Sequence, residues 1–475
     1  MSENRSRALP ALLATSVPMF MVSLDNLVVT NALNEMSADL RVGQSELQWV
    51  VNGYVLAFAG LLLAGAALGD RFGRRRVFLG GVALFTLGSA ACGLSGTAEQ
   101  LIAARALQGA GAAAILPVSL TLAVAAVPAA RRALAVGVWG GVNGLGVAVG
   151  PLAGGLVTEG LDWHWIFWIN VPVGLLALPF VRRAVRESRG PEGALDVTGI
   201  ALITAAVVGA VWGIVGAADH GWTGPRTLVG LGGGLALLAL FAVQQRRARL
   251  PLVPPRMYRI RSFMLSNTVA LAMYFGVFGS IFFLAQYLQG PMGYSPFEAG
   301  LRTLPWTAAP VVVVPLASAL VPRIGGGLLQ AAGCVMQALA LGWLALLVGP
   351  GVSYGSLVPA LALAGLGMGL VFAANPATVI GSVAEHEHNK ASGVNNTVRE
   401  FGGALGIAVL TTVYSQAFKA HAAAGPGPAF EYGLRQSLWL GAAVVLLGAV
   451  AGLLIRRPRP RPTAAGAERT MASAR

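Results

Sequence analysis

The chain reads as fourteen apolar runs, each of about 20 residues, separated by short connections. A helix rises about 1.5 Å per residue, so each run can cross a hydrocarbon core of about 30 Å. Within lipid, every backbone N–H and C=O must be satisfied inside the protein, and continuous apolar runs of this length do so as helices. Charged residues make up 11% of the 475 and apolar residues 56%. A soluble chain carries about 25% charged residues, so this one cannot clothe a water-facing surface. The fold expected is an all-α integral membrane protein. The first run, from about Leu9 to Leu33, lacks a cleavage site and reads as a span rather than a removable leader. Cys92 and Cys334 both fall in apolar runs, which argues against a disulfide framework.

The net charge of +14 would suggest nucleic acid for a soluble chain. Here the basic residues sit in short connections, where they set topology instead. With the N-terminus inside, Arg41, Arg226, Arg302, Lys419 and Arg435 fall outside, Arg105 and Arg399 fall within spans, and every other Lys and Arg falls inside. That asymmetry predicts an even number of spans with both termini cytoplasmic. The longest basic connection on the inner side, from Arg246 to Arg261, suggests a division of six, two and six spans. The expected domains are a six-helix bundle over 1–190, two additional helices over 191–250, a second six-helix bundle over 251–455, and a basic, Pro-rich tail over 456–475. Leu68-Gly-Asp70-Arg71-Phe-Gly73 after the second span has a degenerate counterpart, Leu320-Val-Pro322-Arg323-Ile-Gly325, after the tenth. Such internal repeats are common in transporters, whose sites lie near mid-membrane at the repeat interface.

Charges inside spans carry the chemistry. Arg costs about 2.5–3.5 kcal/mol to insert at a span centre, so Arg105 needs a partner or a wet cavity. Asp25 in the first span and Arg105 in the fourth lie about six and four residues from the outer ends of spans that run in opposite directions. They fall at nearly one depth, and an Asp25–Arg105 pair is expected, either static or competing with proton binding. Glu400 lies about ten residues into the thirteenth span, adjacent to Arg399 and about 100° from it around the helix. It reads either as a proton or substrate contact or as the counter-charge of a cytoplasmic Arg. Tyr54, Asn143, Gln286, Gln289 and Arg399 are candidate cavity residues, each also explicable as packing or an interhelical hydrogen bond.

Several separated motifs resemble the major facilitator superfamily, and more narrowly its fourteen-helix drug:proton antiporters. They are Leu68-Gly-Asp70-Arg71-Phe-Gly73-Arg74-Arg75-Arg76; Arg105-Ala-Leu-Gln108-Gly109-Ala-Gly111; Gly146-Val-Ala-Val-Gly150-Pro151-Leu-Ala-Gly154-Gly155; and Leu24-Asp25-Asn26 through Leu33. Supporting marks are Trp163 to Pro172, Gly293-Tyr-Ser-Pro296, and Leu304-Pro305, which is read as opening the tenth span. The resemblance implies that Asp70, Arg71, Gly73, Arg74 and Arg75 form a latch at the cytoplasmic face, with the start of the thirteenth span near Ser392 and Gly393 as its partner. It also implies that Gly146, Gly150, Pro151, Gly154 and Gly155 form the motif that separates exporters from uptake symporters. The chain departs from the family pattern at Ala66, Asn34, His164 and Glu400, where Gly, Pro, Arg and Gln are usual.

No Gly-rich Lys-Ser/Thr nucleotide loop appears, and no catalytic constellation can be assembled. The tract Glu385-His386-Glu387-His388 reads as solvated rather than as a metal site. The function expected is export of drugs, antibiotics or toxic metabolites across the cytoplasmic membrane. It would proceed by alternating access, as a monomer, with a proton gradient as energy source and no cofactor, metal or nucleic acid. A membrane sensor on the same fold, binding small molecules without flux, is the alternative.

Overall fold

The computed structural model describes residues 3–128, 132–189, 196–249, 251–384 and 387–456, and every regular element among them is helical. The elements in order are α1 (Glu3–Leu40), α2 (Gln44–Phe72), α3 (Arg74–Gly93), α4 (Ala98–Ala125), α5 (Arg132–Gly160), α6 (Trp165–Trp168), α7 (Asn170–Ala184), α8 (Val197–His220) and α9 (Pro225–Arg247). After them come α10 (Arg261–Gln289), α11 (Pro296–Thr307), α12 (Ala309–Ile324), α13 (Gly326–Leu347), α14 (Tyr354–Gly381), α15 (His388–Ala420) and α16 (Pro426–Leu453). Thirteen stretches are long and apolar enough to cross a membrane, two of them built from the consecutive pairs α6–α7 and α11–α12. The helix outside that set, α5, has 29 residues. The molecule is a multi-pass membrane protein. Large apolar side chains cover its outer surface, with Leu176 73% and Leu346 71% exposed, as lipid-facing helices require.

The tenth span begins earlier than Leu304-Pro305. Ser295 accepts from the backbone N–H of Glu298, whose side chain returns a bond to Ser295, and this capping box starts α11 at Pro296. Pro305 sits inside the helix, and the break comes at Ala308.

Short turns at the end bearing Arg71–Arg76 and Arg182–Arg183, here the basic end, use glycine where the backbone demands it. Gly73 (φ +108°) joins α2 to α3, and Gly325 (φ +97°) joins α12 to α13. The two degenerate hexapeptides thus close on the same left-handed turn, which side chains rarely tolerate.

Helices α1 to α7 pack mainly on one another, and α10 to α16 do likewise. The α8–α9 hairpin lies against both sets, with α8 touching α2 and α15. Thr204 of α8 donates to the carbonyl of Gly60 in α2, and Thr412 of α15 donates to that of Ile214 in α8. The two sets meet along α2–α15 and α5–α11.

Candidate functional site

Asp25 and Arg105, 0% and 1% exposed, meet inside the first set of helices. Arg105 Nη1 donates to Asp25 Oδ2 at 2.5 Å and to Gln108 Oε1 at 2.6 Å. Gln108 Nε2 donates to Asp25 Oδ1 at 2.8 Å and to Ser89 Oγ at 2.8 Å. Asn170 Nδ2 adds a third bond to the carboxylate at 3.0 Å. Four helices therefore contribute to one charged knot. The Tyr54 ring lies 4.2 Å under the guanidinium, and its hydroxyl donates to the Val22 carbonyl. A buried pair of this kind loses several kcal/mol per ion in desolvation and persists because both Asp25 oxygens accept hydrogen bonds and Arg105 donates through Nε and Nη1. The expected pair forms, and Gln108, Asn170 and Ser89 complete it. Of these, Gln108 and Asn170 stand inside quoted motifs, while Ser89 carries no sequence signal.

A second polar group lies between the two sets of helices. Asn26 of α1, Phe58 of α2, Asn143 of α5, Tyr274 and Phe278 of α10, Phe372 of α14, and Asn396, Arg399 and Glu400 of α15 border a cavity of about 30 Å³. Glu400 is 8% exposed and shares the border of this cavity with Asn26. Arg399 bonds the Tyr274 hydroxyl and Asn396 Oδ1, and its guanidinium lies 4.6 Å from the Tyr274 ring and 5.6 Å from the Phe372 ring. Asn143 Oδ1 accepts from Ser23 at 2.5 Å. Asp25 and Asn26 are adjacent, so successive α1 side chains face different sites. The aromatic wall of Tyr274, Phe278 and Phe372 was not singled out by sequence, because aromatics in an apolar helix look like packing.

The remaining candidate cavity residues lie elsewhere. Tyr54 belongs to the Arg105 knot. Gln286, 3% exposed, donates to Phe282 of its own helix. Gln289 sits at the end opposite the basic end, where its Nε2 donates to the Asn31 carbonyl and its Oε1 accepts from Asn34.

From the central cavity toward that end, the glycine motif of α5 makes close contacts on two sides. Gly146, Gly150 and Gly154 press on α1 so tightly that a Cβ on Gly146 would lie 2.7 Å from Ser23 Cβ, and one on Gly154 would meet the Val28 carbonyl. Gly155 faces the other way, where an added Cβ would meet the Pro296 carbonyl of α11 and lie 2.7 Å from Phe297 Cα. Asn31 Nδ2 bridges the seam, donating to Pro151 O at 2.6 Å and to Pro296 O at 3.4 Å. Small residues admit such backbone approach, so one short motif serves two contacts.

At the basic end, Asp70 pairs with Arg74 at 2.7 Å and borders a cavity of about 40 Å³ shared with Ser392 and Gly393 of α15. Arg71 lies over the Phe72 ring. The N-terminus of α3 is held by a residue that sequence reasoning missed. Glu187 accepts from the backbone N–H groups of Arg75 and Arg76 at 2.9 and 3.3 Å, placing a carboxylate on the positive helix end. A Cβ on Gly73 would lie 2.8 Å from the Glu187 Cδ. Its only sequence signal is being an acid among Arg182, Arg183, Arg186 and Arg189. In the Glu/His tract, 385–386 lie outside the described residues, and Glu387 pairs with Arg256 at 2.6 Å.

The Major Facilitator Superfamily family model matches residues 15–407. The cephamycin export protein of Amycolatopsis lactamdurans is 39% identical over 87% of this chain and 86% of its own length. The tetracenomycin C resistance and export protein of Streptomyces glaucescens is 36% identical over 86% of this chain and 76% of its own. A bacterial homolog of the human lysosomal transporter Spinster, 17% identical, covers 96% of this chain and 99% of its own with a TM-score of 0.65, a likeness of fold. The motifs, the helical architecture and these relatives agree: the chain belongs to the major facilitator superfamily.

Proposed function

We propose that this protein exports small organic molecules, antibiotics or related toxic metabolites, in exchange for protons by alternating access. The export reading rests on the relatives named for export. The observation that carries the mechanism is the small cavity between the two sets of helices, bordered by Glu400 and Arg399. Its aromatic wall and few polar groups suit an organic substrate, and Glu400 supplies a carboxylate where both sets can reach it. We assign Glu400 the proton exchange with substrate, and the Asp25–Arg105 knot the linkage of protonation to helix position. Asp70, Arg71, Gly73, Arg74 and Arg75, with Glu187, would hold the basic end closed. Gly146, Gly150, Pro151, Gly154 and Gly155 would let α5 rock on α1 and α11.

We count α5 as the fourteenth span, which puts both termini at the basic end and that end in the cytoplasm. The bundles would span 1–190 and 251–455 with α8–α9 as an insert, the chain acting as a monomer; within the 456–475 tail, 457–475 lie outside the described residues. The test uses acidified everted vesicles challenged with cationic, neutral and anionic antibiotics. Proton release with some compounds, lost in Glu400→Gln, supports the assignment. Release lost only in Asp25→Asn moves coupling to the knot. Binding without release for every compound sinks the antiport reading and favours a sensor.

A further inference from the structure

Among the described residues a second cavity is far larger than the central one. It holds about 970 Å³ and opens between α9, α15 and the segment joining α9 to α10. Leu63, Phe241, Val394 and Val398 form apolar walls, and Arg246, Arg256 and Arg259 stand together at the basic end. Arg256 is engaged by Glu387. Arg246 and Arg259 have no carboxylate within ion-pair distance among the described residues. Thr397, also on the wall, is 8% exposed, yet its hydroxyl has no hydrogen-bond partner there. A ligand oxygen would satisfy that hydroxyl once the side chain turns into the groove.

We propose that this groove binds an anionic diacyl phospholipid from the leaflet at the basic end. The phosphate would lie between Arg246 and Arg259, an ester oxygen would accept from Thr397, and an acyl chain would lie along the apolar wall. The match is one of charge and depth: cations gather where the headgroups lie, and apolar side chains line the space beneath them. Basic pockets between spans on the cytoplasmic side are suited to anionic headgroups. The site goes beyond the transport reading and uses its topology only to name the leaflet. The occupant would brace the α8–α9 hairpin against α15.

Native mass spectrometry of the full chain, exchanged into detergent with phosphatidylglycerol or phosphatidylcholine, tests this directly and needs no transport. Wild type should retain a phosphatidylglycerol adduct and little phosphatidylcholine. Arg246→Ala/Arg259→Ala should weaken retention by about tenfold or more, while the Lys pair at the same positions keeps most of it. Thr397→Val should weaken it less, and Arg182→Ala/Arg183→Ala, at the same end but off the cavity, should not. Equal adducts in the double Ala variant, equal loss in the control pair, or equal retention of phosphatidylcholine would overturn the site. So would displacement of the adduct by an exported antibiotic at its transport concentration, which would make the groove a substrate entrance. Because the readout is lipid retention, failure here leaves the antiport reading intact, and failure of antiport leaves this one intact.

Discussion

A buried charge is expensive alone and nearly neutral in company, so the Asp25–Arg105 knot should respond asymmetrically to mutation. Asp25→Ala strands Arg105 beside Tyr54 and should destabilise the protein by about 3–5 kcal/mol. Asp25→Leu combined with Arg105→Met removes both ions and should recover much of that loss. Thermal unfolding in detergent checks the pattern, and equal losses in single and double variants would mean that the charges do not depend on each other. Glu187 makes a smaller claim. Glu187→Ala frees two N–H groups at the start of α3 and should cost about 1 kcal/mol, seen as a modest fall in melting temperature that Glu187→Asp partly restores. The two cases also show what a sequence can disclose. Intramembrane ions announce themselves because lipid forbids them to stand alone, and depth along each helix picks out their partner. Glu187 lies 112 residues from Arg75, whose N–H it accepts, in a water-accessible segment where an acid needs no explanation.

Among elements, α5 shows how one helix can be smooth on two sides. Gly155→Ala would push a methyl into the backbone of α11, and no rotamer can relieve a backbone clash. Gly144→Ala meets nothing within 4 Å and serves as the control. If α5 and α11 part during transport, Gly155→Ala should favour the parted state. A cysteine at Asn34, beside the same seam, should then label severalfold faster with a membrane-impermeant maleimide. Cys92 and Cys334 are buried and free, so background labelling should be low. Unchanged labelling in Gly155→Ala would show that this seam does not gate the pathway. The spans themselves were legible because lipid demands long apolar helices, and the glycine run marked close packing. Which neighbour each glycine touches was not legible, since Gly146 and Gly155 differ only in azimuth. The start of α11 was misplaced for a different reason. The Ser295–Glu298 capping box was present in the sequence, but the resemblance to the family pattern put the opening at Leu304-Pro305 instead.

At the scale of the molecule, the central cavity holds about 30 Å³, against about 300–1,000 Å³ for ordinary ligand sites. A drug-sized molecule does not fit this arrangement, so the proposed alternating-access cycle needs the two sets of helices to separate at one end at a time. At the end away from the arginines, Asn34 of α1 and Gln289 of α10 touch at 3.2 Å. A cysteine pair there, cross-linked with a short bifunctional reagent, should abolish efflux measured in whole cells. Each single cysteine should leave it largely intact, and a reducible linker should restore it on cleavage. Binding from the basic end should survive the cross-link, because only the opposite end is tied. Should efflux continue at full rate in cross-linked protein, α1 and α10 would have to stay together throughout the cycle. Movement would then be confined to α5, α11 and the α2–α15 seam, and separation of whole bundles would give way to a local gate.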